Sequence, residues 1–450
     1  MKSQLLLICI VLSAGQMSAV AQREDSSAPL TMNLQQAVQS ALEHNHEVRI
    51  SSLRVEEDQH AKDVARSQYL PVVQNKSTFA RATDTEFIGI PAGSLGTVGG
   101  NSLPSSPLIL SQGALTYALS STELDQPLTD LFKIKSANDV ARAEVEASKG
   151  KARSVEDQVA LKVRQLYYNI LIVQSQQRAI EAKIQAVQDL ETERVQQVKY
   201  GSMLDVNLIE SRAQSLQAKQ DMLTAHLRLA DLRMQFNDAV GLPIQSEVLL
   251  DPKIPVPAPA SPREECMKLA FDSNPDIAGA KAEVEKAAAG VREAKREYLP
   301  DFGTFARYSY ANNVPFLARN YGTFGVHLSY DFFDGGKKRG TLRERDAQLA
   351  EAKENLARVR DKVEVTVETA YNKLEQTEQM VAVSQELLAA RKEAQRVSAQ
   401  GLVQGTYLRS QAEAAVAQES QAQTQLLQSE LEYAQAQDEL TEAMGQIANQ

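Results

Sequence analysis

His44 and His46 come nearest, in this sequence, to a pair of metal ligands. Two residues apart on a helix they point to different sides, so they cannot share an ion. His60, His226 and His327 are scattered along the chain. Gly96-Thr97-Val98-Gly99-Gly100 has the glycines of a phosphate-cradling loop but lacks its lysine and the helix that must come after it. Neither G-x-S-x-G nor H-E-x-x-H occurs. Two cysteines, Cys9 and Cys266, exclude a disulfide framework and a thiolate metal site. Lys337-Lys338-Arg339 is the one basic run, yet 48 Lys and Arg stand against 58 Asp and Glu, so no broad surface for nucleic acid is expected. The expectation is a protein with no catalytic residues, no cofactor and no metal, whose function lies in its shape.

The elements begin with an address. Met1-Lys2, an apolar stretch from Leu5 to Ala14 and the small-x-small pattern Ala19-Val20-Ala21 make residues 1–21 an expected signal peptide. Its removal takes Cys9 and leaves Cys266 as the single thiol of an exported chain.

Beyond the leader the chain is written twice. Residues 34–71 align with 263–300 without a gap, with 8 identities in 38 positions. They include Ala41/Ala270, Asn45/Asn274, Val55/Val284, Glu56/Glu285, Ala65/Ala294 and the shared Tyr-Leu-Pro at 69–71 and 298–300. A stretch rich in Gly, Pro, Ser and Thr comes next in each copy, at 71–127 and 300–336. Then come windows without Gly or Pro: 151–200 and 202–240 in the first copy, 341–400 and 406–444 in the second. These exceed the mean globular helix of about 11–12 residues several-fold. The expected organisation is a first repeat over 22–243 with a long helical hairpin at 133–241. A linker at 244–262 carries Pro252, Pro255, Pro257, Pro259 and Pro262, and a second repeat over 263–450 has its hairpin at 337–446.

The long windows carry narrow apolar seams. Val155, Val159, Val163, Leu166, Ile170 and Val173 are spaced by three or four, and Leu342, Leu349, Leu356 and Val363 by seven. A step of four to Val367 is a stutter, after which Leu374, Val381 and Leu388 resume the heptad. The other faces are Ala, Gln, Glu, Lys and Arg, which suits a wall of paired helices. The Gly/Pro-rich stretches alternate instead. Phe324, Val326, Leu328, Tyr330 and Phe332 are interleaved with Gly325, His327, Ser329 and Asp331, and Leu115, Tyr117 and Leu119 alternate with small residues. Two hairpins are expected, one joined by a long loop over about 83–112 and one by a short loop near Asn312-Asn313-Val314-Pro315. Alternation at this length fits a tilted membrane strand, and a soluble β-flap is the alternative. Four strands cannot close a barrel, and hydrocarbon does not tolerate open edges, so membrane strands here require several copies to share one barrel.

Leu30-Thr31, Ala41-Leu42-Glu43-His44-Asn45, Asn274-Pro275-Asp276, the two Tyr-Leu-Pro endings, Gly241-Leu242-Pro243 and Asp334-Gly335-Gly336 succeed one another in an order that resembles the TolC-like outer-membrane efflux protein family. The resemblance covers nearly all of the chain after the leader. It implies a mainly α fold with membrane β: a homotrimer whose long helices form a periplasmic α-barrel continuous with a 12-stranded transmembrane β-barrel, four strands from each subunit. It further implies a passive exit duct in the outer membrane of a Gram-negative bacterium, used for efflux or type I secretion. The implied partners are a periplasmic adaptor and an inner-membrane pump of the RND, ABC or MFS type. A periplasmic coiled-coil adaptor or scaffold without a pore is the alternative.

The helical hairpins are expected to reverse at Tyr200-Gly201-Ser202-Met203-Leu204 and at Gly401-Leu402-Val403-Gln404-Gly405, glycine supplying the permissive backbone. Met203, Leu204, Leu402 and Val403 are apolar residues at the ends of rods, and local turn packing is the plain reading of them. By resemblance these tips, with Gly201, Gly401 and Gly405, meet the adaptor. The acidic pair that narrows the mouth in well-studied relatives is missing from Thr406–Glu413. Asp205 and Glu210 at the first tip, or Arg409 and Glu413 at the second, are the residues expected to constrict it, with a solvated surface as the alternative.

Overall fold

A computed structural model describes residues 30–84, 86–112, 114–254, 261–314 and 317–449. The expected leader, Pro255, Pro257, Pro259 and Pro315 lie outside the described residues. The chain opens with β1 (Leu30–Met32), α1 (Leu34–His44), α2 (His46–Ser67) and β2 (Val72–Arg81). The short strands β3 (Glu86–Ile90), β4 (Thr97–Val98), β5 (Asn101–Ser102) and β6 (Leu108–Gln112) lead to β7 (Thr116–Pro127), α3 (Asp130–Lys199), α4 (Asp205–Val240) and β8 (Val248–Leu250). Next come α5 (Arg263–Ser273), α6 (Pro275–Arg296), β9 (Asp301–Asn312), β10 (Asn320–Ser329), α7 (Lys337–Val403), α8 (Arg409–Ala443) and a last 3-10 turn at Ile447–Asn449. Helices α1 and α2 share their bounds with α5 and α6 at the same offset that aligns the two sequence copies. The expected loop over about 83–112 is more ordered than a loop, because β3 pairs with β6 and β4 with β5 in a second, smaller hairpin.

The 70 residues of α3 and 67 of α7 make rods of roughly 100 Å at 1.5 Å per residue. Both begin or run on where glycine argues against helix. The expected start of the first helical hairpin at 133 moves to Asp130, and Gly150 lies inside α3. A Cβ at Gly150 would stand 3.0 Å from the Cα of Gly279 on α6, so the glycine is kept by a close helix crossing rather than by a turn.

The shorter helices stack end to end against these rods. Asn45 starts α2 by accepting from the N–H of Glu47, while its amide donates to the carbonyl of Ala239 at the end of α4. Asn274 starts α6 in the same way and donates to Ala443 at the end of α8, again at 3.0 Å. Just past each helix end, Gly241 and Gly445 have φ of 80° and 72°. A Cβ at Gly241 would fall 2.6 Å from His44, and one at Gly445 2.7 Å from Pro275. Asn45 therefore ends α1 as well as opening α2, and His44 and His46 stand on different helices.

Two rows of helices result. Toward the sheet the order is α2, α3, α6, α7; toward the tips it is α4, α3, α8, α7. Above them stands an antiparallel sheet ordered β10-β9-β7-β2. One core cluster joins α1, α3 and α4 around Tyr167, Ile170 and Phe236, and a second joins α5, α6, α7 and α8 around Ile277, Val367 and Leu440. Between them Arg164 of α3 and Asp438 of α8 form an ion pair at 3.0 Å, and Tyr168 donates to the same carboxylate at 2.8 Å.

Candidate functional site

At the first tip α3 ends at Lys199. Gly201 takes φ 69°, its N–H donating to Val198, and Ser202 bonds back to Gln197. Met203 is half-buried and Leu204 is 72% exposed. The second tip departs from its expected form: Gly401, Leu402 and Val403 remain helical, and the reversal starts at Gln404 with Gly405 at φ 73°. Gly401 is small for another reason. The ring of Tyr407 lies over it, so that a Cβ there would come within 2.2 Å of the ring, and the N–H groups of Thr406 and Tyr407 both reach its carbonyl. Leu402 is exposed and Val403 is 89% exposed at the very end of the rod.

The charged residues expected near the mouth divide into two groups. Asp205 is the first residue of α4 and Glu210 lies one turn on, accepting from Gln214 at 3.3 Å; both are exposed. Arg409, the first residue of α8, does not meet Glu413. It reaches across to Asp189 on α3 at 3.3 Å, and Glu413 stays half-buried on α8. Sequence reasoning missed the adjoining contact. Glu193 of α3 accepts from both the N–H, at 2.9 Å, and the hydroxyl of Ser410, so a carboxylate borrowed from one hairpin caps the N-terminus of the other. Arg194 ties α3 to α4 through Asn207 and Ser211, each at 2.8 Å. No spacing within one helix announces a cap donated by another.

The four-stranded sheet has two unlike faces. The register puts Phe324, Val326 and Leu328 of β10 with Phe302, Ala306 and Tyr308 of β9, Leu124 of β7, and Val73 and Phe79 of β2. Phe324 is 86% exposed, no described element covers this face, and its apolar side chains flank a hydrogen-bonded patch of Asn75, Ser77, Ser120 and Thr122 where β2 meets β7. The opposite face carries Lys76, Glu123, Asp125, Arg307 and His327, with Arg307 donating to Glu123 at 2.8 Å, and the register places Tyr117 and Leu119 of the expected β7 stripe on this face too, along with Phe305. Among the described residues no helix is long and apolar enough to cross a membrane.

Two exposed seams run along the outer helices. On α4, Val206, Ile209, Ala213, Leu216, Gln220, Leu223, Leu227, Ala230 and Met234 succeed one another by alternating steps of three and four, and all are exposed. On α7, Met380, Val383, Leu387, Ala390, Ala394 and Val397 follow the same spacing, all exposed but the half-buried Leu387. The seam that turns α7 toward α8 is a different one and includes the buried Leu374 and Leu388. Such heptad spacing is that of a coiled-coil contact, and both seams face away from the chain's own helices.

Burial of ionisable groups is concentrated where α3, α6 and α8 join, away from the tips. Burial raises Asp438 above the ordinary carboxylate range despite Arg164, and burial with the nearby charges of Asp157 and Asp276 raises Glu442. Loss of solvent pushes the Tyr167 phenol up to about 12 while its hydroxyl donates to the carbonyl of Asp251 at 2.7 Å. A cavity of about 500 Å³ between α3, α6 and α7 is lined by charges of both signs, among them Lys151, Lys286, Arg345 and Glu351. Lys286 pairs with Glu144 and Glu283 across α3 and α6, and Arg345 donates to Gln348.

Residues 267–446 match the family described as outer membrane efflux protein. No curated protein matches the chain by sequence. In three dimensions it is similar to the CmeC outer membrane channel of Campylobacter jejuni, with 13% identity and a TM-score of 0.74 over 98% of this chain and 94% of that one. It is similar also to the outer membrane protein VceC of Vibrio cholerae, with 14% identity and a TM-score of 0.72 over 92% of this chain and 96% of that one. A third likeness is to the open state of the MtrE outer membrane channel of Neisseria gonorrhoeae, with 16% identity and a TM-score of 0.71 over 92% and 89%.

Proposed function

We propose that this chain, which carries an outer membrane efflux protein domain over residues 267–446 and has the fold of the TolC-like channels, is one third of a passive exit duct. The duct crosses the outer membrane of a Gram-negative cell and descends into the periplasm. The observation that carries this reading is that the chain has two unsatisfied edges running its whole length. One is α4, then α2, then β2; the other is α7 and then β10. Each edge ends in a strand with a free row of backbone groups and bears an exposed apolar seam below. A free edge of this kind needs a partner, and the two edges differ, so the contact is head to tail, and a closed ring is the arrangement that leaves no edge open. Two copies would give eight strands and a lumen filled by side chains, whereas three give twelve and leave a passage. The apolar face then meets lipid and the charged face lines the pore, as in other outer-membrane barrels. An uncovered apolar sheet face separates this reading from a coiled-coil adaptor.

The duplicated order of elements, with Asn45 and Asn274 in equivalent joints, supports an internal two-fold repeat. The seams supply the detail of the interface. Aligning the helices antiparallel with their tips level puts Val206 against Val397, Leu216 against Leu387 and Leu223 against Met380. The flanking charges then oppose one another: Arg212 faces the partner copy's Glu393, Lys219 its Glu386, and Glu210 its Arg391. In this arrangement Asp205 and Glu210 act between copies, while Arg409 and Glu413 stand at the mouth, where the links from α3 to Arg409 and Ser410 set the position of α8. Gly201, Met203, Leu204, Gly401, Leu402, Val403 and Gly405 form the tips on which a periplasmic adaptor, itself linked to an inner-membrane pump, docks. Gel mobility tests the assembly: membrane-extracted protein should run as a compact SDS-resistant oligomer that collapses to one chain on boiling. A single-chain band in unheated samples speaks against it.

A further inference from the structure

The outward apolar stripe of β10 does not stop where the strand stops. Phe324, Val326, Leu328, Tyr330 and Phe332 keep one parity, and Phe332 and Phe333 are 94% and 89% exposed, at the junction with α7. Tyr330 packs edge to face on Phe332 with ring centroids 5.3 Å apart. Immediately beyond, Lys337, Lys338 and Arg339 occupy the first turn of α7. Cations there oppose the helix dipole, and the N-terminus is already capped by Asp334, which accepts from the N–H groups of Gly336 and Lys338. Neither helix propensity nor capping accounts for three cations at this position. Lys337 and Arg339 are exposed, and Lys338 lies over the ring of Tyr330 at 5.3 Å. Exposed rings at the end of a lipid-facing stripe, succeeded within one turn by a cationic run, match the depth profile of a bilayer leaflet. Acyl chain comes first, then the interface, then the phosphate.

We infer that the β10–α7 junction is a binding surface for anionic phospholipid in the leaflet on the helical side of the sheet. Phe332 and Phe333 enter the headgroup boundary, and Lys337, Lys338 and Arg339 engage the phosphates. This rests on the channel reading above. The chain contains no Trp, so Phe332→Trp creates a single reporter. Full-length protein carrying it is reconstituted in phosphatidylcholine vesicles with a minority of phosphatidylglycerol, one lipid at a time bearing bromine near the headgroup. Brominated phosphatidylglycerol should quench the indole at least about fivefold more per lipid than brominated phosphatidylcholine, the preference one interfacial cation provides. Changing Lys337, Lys338 and Arg339 to Gln should abolish the preference and leave the quenching. Equal quenching by the two lipids overturns the inference, and so does its absence, which would mean that the neighbouring copy covers the rings. Phe324→Trp separates the two readings. If deep-brominated lipid leaves that indole bright, the sheet is not in the membrane and the channel reading fails with the inference. If it is quenched while Phe332→Trp is not, the inference alone fails.

Discussion

Asn274 uses one side chain for two purposes. Its carbonyl oxygen caps α6 through the N–H groups of Asp276 and Ile277, and its amide holds the end of α8 through Ala443. Replacement by Ala leaves a buried carbonyl and two helix donors unmet, so Asn274→Ala should cost about 1–3 kcal/mol, measured by thermal or chemical unfolding in detergent. The identity with Asn45 was visible in the sequence. The role was not, because the bonded carbonyl lies 169 residues away. Glu442 gives a pH-dependent test. Its folded value is raised above the ordinary 4.5, so the native state holds the proton more tightly than the unfolded chain. Its contribution is favourable in acid and is lost as pH rises through the folded value. Glu442→Gln should therefore raise the melting temperature at neutral pH and flatten its fall with pH, and an unchanged profile would show that this carboxyl is not strained.

The elements were legible where periodicity is regular and obscured where glycine serves packing. Four long helices, two hairpins and the strand alternation of β10 are readable from spacing alone. Gly401 reads as part of a turn yet lies inside α7, because the close approach of Tyr407 demands its smallness, as the approach of Gly279 does for Gly150 within the expected hairpin. The second seam of α7 was hidden because its positions interleave with those of the first, and only the fold separates the stripe facing α8 from the one left bare. That bare stripe makes a prediction at this scale. Arg212→Glu with Lys219→Glu should abolish the SDS-resistant oligomer, and Glu386→Lys with Glu393→Lys added to the same chain should restore it. Failure of the rescue, with each chain folded by circular dichroism, would place the contact elsewhere.

For the whole molecule, the sequence alone reached the mainly helical, TolC-like fold; the shared barrel is an inference from strands whose open edges cannot stand alone in lipid. The mouth was less legible: Arg409 and Glu413 were identifiable as charges near a turn, but the α3 residues that hold this end of α8 come from a hairpin some 200 residues earlier in the chain, Ser410 bonding Glu193 217 residues back. At the tips, Leu402→Asp with Val403→Asp should eliminate export-dependent resistance while leaving the oligomer and its membrane insertion intact, and undiminished resistance would remove the tips from adaptor docking. The most direct test of a shared duct is electron cryo-microscopy of the detergent-extracted protein viewed down its long axis. Three copies around one continuous lumen is the predicted result; a single-chain particle without a lumen would contradict it.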